Sequence, residues 1–146
     1  MKKILIVILL ITIAVIAFYK SNYKTPIQKE LNNFAIEDTS SITKVFFADR
    51  FDNTVTLKKL NGQWLVDDKY TVRADAIEYL LKTMKTIEVK HPVSNSMHDK
   101  IIKNLSVNAV KVEIFTDDNK QAFKTYYVGG ETKDMIGSYM IMENSS

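Results

Sequence analysis

From about residue 42 onward, apolar and polar positions alternate in short runs separated by turn residues, whereas residues 4–19 are apolar without interruption. Alternation with period 2 is the mark of strands that bury one face. "FAIED" and "SITKVFFAD" read as two strands separated by the polar turn Asp38 to Ser41. The continuous triplet Val45, Phe46 and Phe47 predicts that the second of these is covered on both faces. The sharpest local signal is "TVTLKKLNGQWLV". Asn61-Gly62 suits a two-residue type I′ turn, in which both central residues need positive φ. Closing the hairpin there sets Leu60 opposite Gln63, Lys59 opposite Trp64 and Leu57 opposite Val66. Val55, Leu57, Trp64 and Val66 then share one face, with Thr56, Lys58 and Gln63 on the wetter one.

Helical periodicity takes over in "RADAIEYLLKTMKTIEV". Ile77, Leu80, Leu81, Met84 and Ile87 recur at the i, i+3, i+4 spacing of one helix face, and Asp75 with Glu78 three residues on resembles a capping box. An extended piece broken by Pro92 follows. A second helix is predicted from about Ser96 to Leu105, its apolar face made by Met97, Ile101 and Leu105.

Alternation returns in "AVKVEIF", where Val110, Val112 and Ile114 face one way and Lys111 and Glu113 the other. A turn at Asp118-Asn119 would pair Glu113 with Lys124, Ile114 with Phe123 and Val112 with Thr125, and a Glu113/Lys124 double mutant should then show coupling. Gly129-Gly130 reads as a hairpin bend with positive φ between strands at Phe123–Val128 and Ser138–Glu143. A final strand at "SYMIME" would form a sheet edge open to pairing with another chain. Together these elements predict an α+β fold class, antiparallel β-hairpins with two amphipathic helices packed on one face, preceded by an N-terminal transmembrane helix.

The uninterrupted run changes the picture from a globule to an attached one. At ~1.5 Å per residue a helix over 4–19 is about 24 Å long, a little under the ~30 Å hydrocarbon core, with Lys3 and Lys20 placed to snorkel and Phe18-Tyr19 at headgroup level. An uncleaved anchor accounts for the long run and its aromatic-lysine exit. A cleaved signal would use Val15-Ile16-Ala17 as a weak processing site, and a buried core helix would be expected to show a polar stripe. The organisation is therefore an anchor or signal at 1–20, a tether at 21–33 containing a short helix from Ile27, and one domain at 34–146. The short basic start favours an inner-membrane, single-pass protein with its C-terminal domain in the periplasm.

Composition excludes more than it assigns. The formal charge is +3, of which Lys2 and Lys3 supply two, and acidic residues are interleaved with the lysines, so nucleic acid is not an expected partner. There is no cysteine, which removes thiolate metal sites, disulfides and a cysteine nucleophile. Gly129, Gly130 and Gly137 match no phosphate-binding spacing. His91 and His98 lack a third ligand at metal spacing. Asp67-Asp68 and Asp117-Asp118 each follow a strand, where Asp favours turns. No catalytic residue, cofactor or metal ligand is assigned. Trp64, Tyr126, Tyr127 and Tyr139 remain as a candidate interaction surface.

Taken in order, "IEDTSSITKVFFADRFDNTVTLKKLNGQWLV", "ADAIEYLLKTMKTIEVKHPVS" and "KTYYVGGETKDMIGSYMIME" resemble the bacterial domain-of-unknown-function family 4340, in its Bacteroidetes-type members, across residues 34–144. The resemblance implies an anchored extracytoplasmic domain associated with ABC-type transport or gliding-motility components. It also implies that this chain corresponds to the N-terminal half, or a truncated form, of proteins about twice its length. The expected function is thus a non-catalytic accessory module that binds transport-system subunits. A small-ligand-binding or enzymatic envelope domain, and a fragment without autonomous function, are the alternatives.

Overall fold

A computed structural model describes Thr12 and residues 34–117 and 121–143 of the chain. The chain divides into two units, 1–33 and 34–146. Thr12 apart, the expected membrane segment at 4–19, the tether at 21–33, the short helix from Ile27 and the Asp118-Asn119 turn fall outside the described residues. Among the described residues no helix is long and apolar enough to cross a membrane.

The second unit is an α+β fold. Its elements are β1 (Ile42–Ala48), β2 (Thr54–Leu60), β3 (Gln63–Val66), β4 (Tyr70–Thr71), α1 (Ala74–Thr86), α2 (Asn95–Asn108), β5 (Val110–Thr116), β6 (Lys124–Glu131) and β7 (Ser138–Met142). Among the described residues the strands form one antiparallel sheet in the order β4-β3-β2-β1-β5-β6-β7. The central strand places Val45 against Leu57 on one side and Ile114 on the other. Ile42, Val45, Leu57, Trp64, Val112, Ile114 and Tyr126 from the sheet, with Ile36 and Met84, make the main core. Ile77, Leu80, Leu81 and Ile87 pack on it half-buried, so the α1 stripe is a core face, as its spacing predicts. Ile101 and Leu105 of α2 are buried too, but lie outside that cluster.

The Asn61-Gly62 hairpin has the expected register, with Leu60 opposite Gln63 and Lys59 opposite Trp64. Asn61 and Gly62 have φ of 50° and 82°, the left-handed pair that a type I′ turn requires.

Elsewhere long-range contacts overrule local pattern. Residues 34–38 do not form a strand; Asp38 instead caps a single 3-10 turn at Thr39–Ser41. Their backbone is committed in other directions: Ile36 N–H donates to the Met84 carbonyl at 3.0 Å, and Lys124 Nζ donates to the Ala35 carbonyl at 2.7 Å. No capping box starts α1. Arg73 is the N-cap without a side-chain cap bond, and Asp75 sits in the first turn, where its carboxylate receives the Arg73 guanidinium and favours the helix dipole. On β1, Val45 is buried while Phe46 and Phe47 are only half-buried, so the triplet is not covered equally on both faces.

The β5–β6 register differs from expectation by one residue. Ile114 pairs with Lys124, Glu113 with Thr125 and Val112 with Tyr126. This brings Tyr126 into the core and turns Thr125 and Tyr127 to the other face. Gly129 and Gly130 lie inside β6, next to an irregularity in the β6–β7 ladder, and neither has positive φ. The bend is made by Thr132 to Gly137, which close on each other through Thr132 N–H to the Gly137 carbonyl at 2.8 Å. Gly129 is glycine for packing: a Cβ there would stand 2.4 Å from Leu105 Cδ2.

Candidate interaction surface

The four aromatic residues singled out in the sequence do not share a surface. Trp64 and Tyr126 belong to the main core, and the Tyr126 ring packs tilted against Phe34 with centroids 6.0 Å apart. Tyr127 and Tyr139 are half-exposed. Alternation places them on the sheet face opposite Tyr126, with Lys44, Phe46, Lys111, Glu113 and Ile141.

Burial pushes the Tyr126 phenol up to about 12 from an ordinary 10.0. A folded-state value above the unfolded one means that its contribution is fully present below about pH 10 and is lost as pH rises toward about 12. Alkaline unfolding in that window, followed with tyrosinate absorbance, should be less steep in Tyr126→Phe than in the parent.

On the opposite face an ionic cluster spans β5, β6 and the residue after β7. Lys111 Nζ lies 2.7 Å from Glu113 Oε1 and 3.6 Å from Glu143 Oε1, and the Tyr127 hydroxyl donates to Glu143 Oε1 at 3.3 Å. The hydrogen bond to Glu113 holds the Lys111 pKa above its usual value, and burial raises that of Tyr127. Lysine and phenol are thus held protonated and both carboxylates are engaged. The cluster's sequence signal is the i, i+2 spacing of Lys111 and Glu113 on one strand face, obscured by the expected pairing of Glu113 with Lys124. A double-mutant cycle should give ~0.2–1 kcal/mol of salt-sensitive coupling for Lys111/Glu113, and none for Glu113/Lys124.

The histidines lie apart from this cluster. His91 precedes Pro92 in the extended linker, and His98 is in α2. Among the described residues no group of three or more His, Asp or Glu is placed to hold a metal ion. Asp67 and Asp68 both take positive φ in the β3–β4 connection, and Asp67 Oδ1 accepts from Thr56 N–H at 2.8 Å.

A feature that sequence reading missed emerges from the topology. Because each strand opposes its neighbours, β1, β3 and β6 run in one direction, so the connections 49–53, 67–69 and 132–137 gather at one end of the sheet. The chain enters the domain at the other end, as do the Asn61-Gly62 turn and the β5–β6 connection. The gathered end carries Phe51 (71% exposed), Tyr70 (71%), Met135 (76%) and Ile136 (72%).

These exposed side chains stand on braced backbone. In 132–137, Met135 N–H donates to the Thr132 carbonyl and Ile136 N–H to Asp134 Oδ1, while the Thr132 hydroxyl donates to the same carboxylate. Lys90 Nζ reaches Asp134 from the inter-helix linker at 3.5 Å. In 49–53, Asp49 accepts from the N–H groups of Phe51 and Asn53 and from the Asn53 amide. Arg50 extends to the Val107 carbonyl near the end of α2 and lies 4.9 Å from the Phe51 ring.

The chain matches no family model, no curated protein and no solved structure.

Proposed function

We propose that this chain is a membrane-anchored extracytoplasmic interaction module that works by binding a protein partner rather than by catalysis. In this reading residues 4–19 hold it in the inner membrane as a single pass, the domain lies in the periplasm, and the partner is a subunit of an ABC-type transport or gliding-motility system. The observation that carries the reading is the presence of exposed Phe51, Tyr70, Met135 and Ile136 at the end of the sheet opposite the start of β1. Large apolar side chains left exposed at one end of a sheet, here spread across its width, are candidates for contact with a partner.

The test has two parts. After alkaline extraction the full chain should stay with the membrane, and protease added to intact spheroplasts should digest residues 34–146. Affinity purification from detergent-solubilised membranes should then recover a transport subunit. Release of the chain by alkali, or protection from protease, would overturn the anchoring and orientation; recovery of no transport subunit would overturn the assignment to such a system. A second mode, pairing between copies through β7, is favoured by the place of β7 at the sheet edge. Sedimentation as a monomer at high concentration would exclude it.

A further inference from the structure

The turn between β2 and β3 carries chemistry as well as register. Asn61 is followed by Gly62, and both are exposed. Chain neighbours apart, nothing lies within 4 Å of where a Cβ on Gly62 would stand. In this two-residue turn the ladder bonds belong to Leu60 and Gln63. Among the described residues, neither the Gly62 N–H nor the Asn61 side-chain amide has a hydrogen-bond partner. A side-chain amide carbon is thus followed in the chain by an unhindered, unbonded backbone nitrogen. We propose that Asn61 is a self-modification site, at which the Gly62 nitrogen displaces the side-chain ammonia and the turn is converted to an isoaspartyl link.

Solvent base takes the Gly62 N–H proton as that nitrogen bonds to Asn61 Cγ. The Cγ–Nδ2 bond breaks, ammonia leaves with a returned proton, and a five-membered cyclic imide remains. Water then adds to one of its two carbonyls. Breaking the new Cγ–N bond gives aspartate in an ordinary peptide. Breaking the bond from the Asn61 backbone carbonyl gives isoaspartate, with the main chain routed through Cγ. Both products gain a carboxylate, and the second also lengthens the main chain by one CH2. A lengthened link no longer fits a turn set by two left-handed residues, and the β2–β3 register loses the device that fixes it. The fold sets the pace. With φ of 50° and 82° and the Leu60–Gln63 pair closed behind them, Asn61 and Gly62 reach the ring-forming geometry only when the tip of the hairpin opens. Elsewhere the fold opposes the reaction. The Asn53 side-chain amide donates to Asp49 Oδ2 at 2.8 Å and precedes β-branched Thr54. Asn95, Asn104 and Asn108 lie on α2, where each side chain tilts toward the helix N-terminus, away from the following nitrogen.

The full chain, kept in mild detergent, is aged at mildly alkaline pH and digested. Mass spectrometry with electron-transfer fragmentation then distinguishes isoaspartate from aspartate. The expected result is progressive replacement of NH2 by OH at Asn61 with isoaspartate among the products, ahead of Asn53, Asn95, Asn104 and Asn108. Conversion should run roughly tenfold slower than in the same chain unfolded in urea, because it waits on local opening. Asn61→Gly keeps a Gly-Gly pair suited to the same turn and should lose the whole signal. Thermal melting followed by buried Trp64 should shift to lower Tm as the parent ages and stay constant in Asn61→Gly. No isoaspartate at Asn61 over many times the period that converts the unfolded chain would overturn the proposal, as would earlier conversion at any of the other four residues. An aged, isoaspartate-bearing parent with unchanged Tm would overturn the loss of the turn.

Discussion

Tyr126→Ala is expected to destabilise the domain by about 3–5 kcal/mol, and Tyr127→Ala by no more than about 1 kcal/mol. The contrast follows from one residue of register. With Val112 opposite Tyr126, the Tyr126 ring lies 2% exposed in the main core and packs on Phe34. Its removal leaves a cavity that β5 and β7 cannot close without breaking their ladders. Tyr127 stands half-exposed on the other face, where its hydroxyl meets Glu143. Had Glu113 paired with Lys124, as the charge pattern suggested, the two tyrosines would exchange faces and the order of the effects would reverse. Urea titration read by Trp64, the sole tryptophan and a buried one, measures both variants without an added label. Equal losses, or a larger one at Tyr127, would refute the observed register.

Gly129→Ala should cost about 1–3 kcal/mol, while Gly130→Ala should be close to neutral. The adjacent glycines differ only in what faces them. A methyl at Gly129 would meet Leu105 Cδ2 at 2.4 Å and the Tyr139 carbonyl at 3.4 Å, whereas one at Gly130 meets nothing within 4 Å. Leu105 is buried, so its side chain cannot swing aside without disturbing the seat of α2 on β6. Leu105→Ala in the Gly129→Ala background should therefore destabilise by less than Leu105→Ala alone, since the new methyl fills part of the space left. Additive losses would show that α2 does not approach β6 there. For a domain of this size each kcal/mol corresponds to a fall of roughly 4–8 °C in Tm.

What could be read in advance divides by the range of the interaction that decides it. The β2–β3 hairpin was legible to the residue because Asn61-Gly62 fixes the turn and the turn fixes the register. The α1 stripe was legible because its spacing admits one buried face. At the β5–β6 hairpin the turn residues carry no such instruction, and Tyr126 and Tyr127 are both amphipathic, so alternation could not choose which faces inward. "FAIED" has strand composition, yet its backbone bonds go to Met84 and Lys124, partners 48 and 89 positions from the residues they hold. Gly129-Gly130 resembled a turn because glycine usually serves φ, and only the approach of α2 reveals the packing reason. The exposed apolar end was not legible at all, because its three connections are brought to one end of the sheet by strand direction. The Lys111 cluster was half-legible, as its partner Glu143 becomes a neighbour only through the β6–β7 pairing.

The position of β1 has a mechanical meaning. This strand follows directly on residues 34–41, lies in the middle of the sheet and is hydrogen-bonded along its length to β2 and β5. If one end of the molecule is held by a membrane and the other by a partner, tension enters at residues 34–41 and leaves through the far connections, so it runs along the strands. Ladder hydrogen bonds lie across that direction, and they are loaded in shear, sharing the force instead of parting one after another. Such a load would be shared across the ladders between residues 34–41 and the end where Phe51, Met135 and Ile136 stand exposed.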